Sequence, residues 1–301
     1  MPQNIGILLT KNERDVIEEV MEEHEKCFDT IFALDGSDDG TYEFLKSRKS
    51  IVFLIRDSEV SPDAPIRDGA RQFLIETAQE KYGTKGWFSL LHGDEFFHND
   101  PNQIASMADQ EGIDILRWRM MNFFLHKSEE EAFEIREDRT KSIQERRRWY
   151  CPEWVEVRQF RNSKNVRFHL SRHGTLFPEG LNRHKVNIHL PLIKHYSYRT
   201  PEQVKARAKD RVTSGFGKHF EWVLNSSSVF RDKFENFEVT KCYTGSFEEY
   251  EFKKALLGNG YDLLIQEIKN RFPQLANLSD KEIEGFIEKT VKPKEKHKQQ
   301  N

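Results

Sequence analysis

Three short stretches of the chain hold residue types that could do chemistry. The first is Asp35-Gly-Ser-Asp-Asp-Gly-Thr41, directly after the apolar run Thr30 to Leu34. Asp, Gly and Ser dominate turns for steric reasons, so alone this reads first as a turn and a helix start. The second is His92-Gly-Asp-Glu95, held between Leu91 and Phe96. Carboxylates at a strand end are oxygen ligands for Mg²⁺ or Mn²⁺, which take one or two carboxylates together with substrate phosphates. An exposed acidic turn is the plainer reading, but the apolar flanks would fix Asp94 and Glu95 at the edge of the core. The third is His195, at the end of the apolar run Leu192 to Lys194 and just before Thr200-Pro-Glu-Gln203. A lone histidine is more often a satisfied structural residue than a ligand.

The elements that must position these stretches follow from periodicity. Ile5 to Leu9 is a short apolar run suited to a strand buried on both faces, and Thr30 to Leu34, Ile51 to Ile55 and Trp87 to Leu91 read as three further strands. Between them lie helical patterns, with Asn12 as the expected N-cap of the first, a short helix from Thr41 to Lys46, and a third from Gly69 to Tyr82 stopped by Gly83. Asp100-Pro101 is the favoured start of a further helix. Repeated β-α-β units imply a parallel sheet with right-handed crossovers, and ligands bind beyond the carboxyl ends of such strands. Both acidic stretches fall there.

The second half is less regular. Ile113 to Phe124 reads as a strand pair or a long strand, and the charged stretch Lys127 to Arg148, with its run Arg146-Arg-Arg148, as a solvated face or mobile loop, with phosphate or acceptor contact as a minority reading. Val155 to Phe168 alternates like a hairpin turning at residues 161–165. Three helices with capping boxes at Thr200, Ser246 and Ser279 then close the chain. Residues 292–301 are polar and read as a disordered tail.

In combination, Thr10-Lys-Asn-Glu13, the Asp35 to Thr41 loop, His92-Gly-Asp94 with Glu95, and the distal His195 follow an order that resembles the family-2 glycosyltransferases of the GT-A type. Arg158-Gln-Phe-Arg-Asn162, Val166-Arg-Phe168 and His173 are similar to a looser subgroup of that family. The resemblance implies an α/β, GT-A (Rossmann-like) fold with a mostly parallel central sheet over residues 1–200, followed by a C-terminal helical region at 201–291. It implies transfer of a sugar from a nucleotide-sugar donor to the hydroxyl of a glycan or lipid-linked acceptor, with inversion. Thr10, Asn12, Glu13, Asp35, Gly93 and Asp94 would line the donor site, and Asp94 and His195 would hold Mn²⁺ or Mg²⁺. Arg67 and Arg71, beside the helix entered at Gly69, either reach the donor phosphates or lie on the surface. Glu153 and Glu179 are the candidates for the general base.

This sequence departs from the pattern at His92, which stands where the family has its first carboxylate, and at Gly174, where glutamate often follows the histidine. A relative that binds a nucleotide-sugar or a glycan without turnover is therefore a rival reading. A sugar-nucleotide nucleotidyltransferase is another, although it would carry a glycine-rich loop after the first strand, and Leu9 to Glu13 has no glycine.

Composition narrows the remaining classes. A formal net charge of -3 over 301 residues gives no reason to expect a nucleic-acid partner. Three scattered cysteines fit neither a zinc ribbon nor a disulfide framework and suit a reducing compartment. The histidines from His169 to His195 follow no closed zinc spacing. The start of the sequence carries no secretory pattern, and no apolar run approaches the ~20 residues of a membrane span. The expected location is the cytoplasm, with peripheral membrane contact left open.

Overall fold

The computed structural model describes residues 4–60, 68–168, 178–182, 185–187, 189–213, 221–232, 241–247, 277–279 and 282. Arg67, His173 and the tail lie outside the described residues, as does most of the chain after 247. The chain alternates β1 (Asn4–Thr10), α1 (Ile17–His24), β2 (Ile31–Asp35), α2 (Thr41–Lys46), β3 (Ile51–Arg56), α3 (Asp68–Tyr82) and β4 (Trp87–His92). It continues through β5 (Glu95–Phe97), α4 (Pro101–Glu111), β6 (Ile115–Phe123), α5 (Phe133–Arg136), α6 (Ile143–Arg146), β7 (Trp149–Arg161) and β8 (Leu192–His195). Beyond residue 200 come α7 (Pro201–Thr213), α8 (Glu221–Asn225) and β9 (Lys241–Cys242).

One sheet runs in the order β3-β2-β1-β4-β7-β6-β8-β5, with β9 on β7. Its first four strands are parallel, as the unbroken apolar runs require: sheets covered by helices on both faces leave no strand face for polar residues. This is the α/β class expected of a GT-A-like, Rossmann-like chain. The second half mixes directions. β7 is antiparallel to both β4 and β6, while β8 is parallel to β6 and antiparallel to β5.

Local signals hold where backbone chemistry sets them. Asp100 accepts bonds from the amides of Asn102 and Gln103 with Pro101 at the first helical position, and Gly83 ends α3 at φ 79°. Asn12 does not cap α1. The cap is Val16, without a side-chain bond, and Asn12 sits at φ 56° in the left-handed region. Asparagine tolerates that conformation better than most residues.

The Val155 to Phe168 hairpin is also corrected. Those residues up to Arg161 continue one long strand, β7, which pairs with β4 and β6 rather than folding back, and Arg167 instead bridges Glu179. Two-residue alternation identifies a strand but not its partner. Glu153 accordingly lies in β7, not in a loop.

Arg146 to Arg148 is not simply a solvated run. Glu137 takes both Arg146 Nη1 (2.6 Å) and Arg147 Nη1 (2.9 Å). Arg147 is buried, lies over the Phe133 ring at 5.0 Å, and donates from Nε to the Arg199 carbonyl at 2.7 Å. A counter-charge and an aromatic platform together offset the burial of a guanidinium. Past residue 200, α7 packs Val204 and Ala208 against Phe124, Leu125, Cys151 and Tyr198, so it shares a core with β7 and the segment that follows β6.

Candidate functional site

The carboxyl ends of β1 and β2 are tied into one unit. Thr10 and Asp35 are register partners, and Asp35 Oδ1 accepts from Thr10 Oγ1 and Ser37 Oγ, both at 2.6 Å. Its Oδ2 accepts from the Ser37 amide at 3.1 Å. Ser37 Oγ also accepts from the Asn12 amide, and Asn12 Oδ1 accepts from the Asp38 amide. The Glu13 and Arg14 amides donate to Thr41 Oγ1 and Asp39 Oδ2. Asp35 is thus fully buried, with both oxygens engaged. In this conformation it braces the loop after β1 rather than presenting an open acceptor.

The turn between β4 and β5 carries Gly93 and Asp94. A Cβ on Gly93 would lie 2.8 Å from Thr10 Cγ2 and 3.0 Å from Glu13 Cγ, so glycine is what lets this turn press against the loop after β1. Pairing of β5 with β8 sets Glu95 opposite His195, and the Tyr196 amide donates to the Asp94 carbonyl at 2.8 Å. Residues from opposite ends of the fold thereby meet. His195 Nε2 stands 3.4 Å from Asp94 Oδ2.

Around these carboxylates the structure assembles four guanidinium groups. Asp94 Oδ2 accepts from Arg207 Nη1 at 2.9 Å and lies 3.6 Å from Arg199 Nη1. Burial alone would push the Asp94 carboxyl up, but His195, Arg207 and Arg199 hold it well below the usual carboxylate range. Glu95 Oε1 accepts from Arg158 Nη2 at 2.6 Å and meets His92 Nδ1 at 3.0 Å. Against the opposing effect of burial, Arg158 and His92 draw Glu95 down to about 2.

His92 Nε2 faces Arg158 Nη1 and Arg71 Nη2, each at 3.3 Å. Burial lowers the His92 pKa, and Arg158 and Arg71 lower it further against the pull of Glu95. A neutral ring that gives its Nδ1 proton to Glu95 and turns its Nε2 lone pair to two guanidiniums satisfies every contact.

The third carboxylate, Glu13, shares Arg199 with Asp15. Arg199 Nη2 donates to Glu13 Oε2 at 2.5 Å, while Nε and Nη2 donate to Asp15 at 2.8 and 2.9 Å. Burial raises Glu13 to about 8, with repulsion from Asp94 and Asp15 offsetting part of the Arg199 attraction.

His92, Asp94 and Glu95 could hold a metal ion, each offering a ligand atom within 4.8 Å of the others. Two observations bear on that fit. Among the described residues, Glu95 Oε2 is buried without a hydrogen-bond partner, as is His195 Nδ1. Mixed carboxylate and imidazole donors also suit Mn²⁺, and the carboxylates suit Mg²⁺.

Of the residues singled out from sequence, Thr10, Glu13, Asp35, Gly93, Asp94 and His195 converge here, and Arg71 reaches the cluster through His92. Glu179 is not brought to the cluster by any contact among the described residues: its backbone bonds Arg167, and the next residue, Phe168, donates its amide to Gln72 on α3. Arg158, Arg199 and Arg207 were not singled out as site residues. A signal for Arg207 existed, since it falls on the same face of α7 as the buried Val204 and Ala208, where an unpaired charge would be costly.

No protein-family model matches the sequence, and no curated protein matches it. Among solved structures the chain is similar to Staphylococcus aureus TarS in complex with UDP-GlcNAc, at 17% identity and TM-score 0.32, over 40% of this chain and 35% of that one. It spans about a third of the length of that TarS chain. It is also similar to a Bacillus anthracis protein assigned as a glucose-1-phosphate thymidylyltransferase, in complex with a sucrose, at 11% identity and TM-score 0.28, over 77% of this chain and 87% of that one. Neither likeness is close enough to assign residues. Among the described residues no helix is long and apolar enough to cross a membrane.

Proposed function

We propose that the chain is a glycosyltransferase that takes a sugar from a nucleotide-sugar donor to a hydroxyl of a glycan or lipid-linked acceptor, with inversion and assisted by Mn²⁺ or Mg²⁺. One observation carries this reading: the loop after β1, the Asp94 turn and four arginines meet at the carboxyl ends of β1, β2 and β4. Such an edge is where nucleotides bind in open α/β sheets. A nucleoside diphosphate brings a cluster of phosphate oxygens, and guanidinium groups recognise these in bidentate fashion.

Thr10, Asn12 and Glu13, held in place by Asp35, would border the nucleoside. Arg71 and Arg207 would meet the phosphates, with Arg67 as a further candidate from the sequence. Asp94, with His195 and Glu95, would bind the divalent ion, which neutralises charge on the departing diphosphate when bound. Glu179 and Glu153 remain the candidates to take the acceptor proton. The donor-binding unit would span residues 1–200, with 201–291 completing it from outside.

A binder without turnover is the second reading. It is favoured by His92, which replaces a carboxylate and is braced by Glu95, Arg71 and Arg158. Thermal-shift titration with uridine, guanosine and thymidine diphosphates, each with and without Mn²⁺, tests the first reading, because a native-state ligand raises stability by mass action. An enzyme also hydrolyses the matching nucleotide-sugar slowly and loses that turnover in Asp94→Asn. Stabilisation without any hydrolysis would favour the binder, and no response to any diphosphate would refute both.

A further inference from the structure

Asp94 Oδ2 is the most crowded oxygen of the site, and its neighbours are not alike. Arg199 is 1% exposed and immobilised by bonds to Asp15, Glu13 and the Tyr196 carbonyl. Among the described residues, Arg207 is held by two contacts of its Nη1, 2.9 Å to Asp94 Oδ2 and 3.2 Å to the Ser197 carbonyl, and its side chain is 21% exposed. It reaches Asp94 from α7, while the other charged neighbours of that oxygen are more deeply buried, Arg199 at 1% and His195 at 10% side-chain exposure. In the adjacent residue, Glu95 Oε2 is buried and, among the described residues, without a hydrogen-bond partner. A carboxylate oxygen left bare beside one covered by a movable cation is an incomplete ligand set.

We propose that Arg207 is a displaceable counter-ion, which covers the Asp94 oxygen that a divalent cation would take and leaves it when a diphosphate binds alongside. This rests on the reading of the site as one that takes a nucleoside diphosphate. A guanidinium and a divalent cation on one carboxylate oxygen repel each other, so Arg207 suppresses cation binding to the free protein. Phosphate oxygens offer the guanidinium a bidentate partner of greater charge, and moving to them uncovers Asp94. Cation and diphosphate then bind cooperatively, each strengthening the other by the same factor because linkage is reciprocal. Arg199 cannot serve, since its departure would strand Glu13 and Asp15.

The test is Mn²⁺ binding, read from the free-ion signal by electron paramagnetic resonance, in wild type, Arg207→Gln and Arg207→Lys. With Mn²⁺ alone, Arg207→Gln is expected to bind about tenfold or more tightly than wild type, while Arg207→Lys, which keeps the charge, stays near wild type. Adding the best-binding nucleoside diphosphate should tighten Mn²⁺ binding strongly in wild type and little in Arg207→Gln. Equal Mn²⁺ affinity of Arg207→Gln and wild type, or undiminished coupling in that variant, overturns the proposal. If no diphosphate binds any variant but Arg207→Gln still gains Mn²⁺ affinity, the counter-ion role stands and the nucleotide reading falls. Circular dichroism of each variant confirms that the fold is intact.

Discussion

Replacing Glu13 by Gln should make the protein more resistant to unfolding in mild alkali while leaving it unchanged in mild acid. Two arginines, Arg199 and Arg207, face three carboxylates, Glu13, Asp15 and Asp94, and a proton on Glu13 balances the set. Its pKa is about 8 in the folded chain against 4.5 for the free side chain, with burial as the main cause. A carboxyl whose folded pKa is raised contributes stability that is full below the unfolded value and is lost as pH rises through the folded value. The window therefore runs from pH 4.5 to 8. At about 1.4 kcal/mol per pH unit, the loss across it is at most about 5 kcal/mol.

Glutamine mimics the protonated form and can still accept from Arg199 through its amide oxygen. Urea unfolding followed by circular dichroism at pH 5 and pH 8.5 reads the difference. The two proteins should match at the lower pH, and the variant should be more stable by several kcal/mol at the higher one. A variant destabilised equally at both would show that Glu13 is ionised throughout and that the Arg199 pair stabilises the fold as an ordinary salt bridge.

Two other perturbations follow from the same cluster. Arg158→Met removes the partner of a fully buried Glu95, at a cost of about 3–5 kcal/mol at neutral pH. Because Glu95 is drawn down to about 2 from 4.5, its contribution is present above 4.5 and fades toward 2, so the gap from wild type should close in acid denaturation. A gap independent of pH would mean the loss is one of packing. Gly93→Ala places a methyl 2.8 Å from Thr10 Cγ2 and should cost about 1–3 kcal/mol while weakening nucleoside-diphosphate binding more than overall stability. Wild-type affinity by calorimetry would show that the turn adjusts freely.

Much of the first hundred residues was legible because most local rules there agree with the fold, the Asn12 cap excepted. Apolar runs of five or six residues read directly as strands, buried along β1, β2 and β4 and half-buried at the edge strand β3, and Asp100-Pro101 starts a helix as its N-cap and N1 chemistry favours. The site was legible as a set of motifs but not as a charge balance. Asp94 and His195 are recognisable from their positions after apolar strands, whereas Arg158, Arg199 and Arg207 gain their roles through partners 63, 186 and 113 residues away. No periodicity records such a distance.

The Arg-Asn run 158–162 shows the same limit. Arg158 holds Glu95, Arg161 holds Asp109 and Asp114, and Asn162 donates to the carbonyls of Gly83 and Lys85 beyond α3. Each residue fastens β7 to a different part of the molecule, so the motif looks coherent in sequence for a reason that lies in the sheet. The hairpin expectation failed for the complementary reason: alternation reports which face is wet, not which strand lies beside it.

The pairing of β5 with β8 also orders events in time. A ribosome adding about 5–20 residues per second needs about 6 to 23 s to reach Arg207 after Asp94 has been made, a separation of 113 residues. Through that interval Asp94 and Glu13 lack Arg199 and Arg207, which make their burial tolerable, and β5 can pack on α1 but lacks its strand partner β8. The amino-terminal strands can align, yet their carboxyl edge must stay wet until the last third of the chain arrives. A stalled or truncated chain is consequently left with a hydrated, acidic rim instead of a finished pocket, and that rim resists premature collapse and unwanted association while synthesis is still under way.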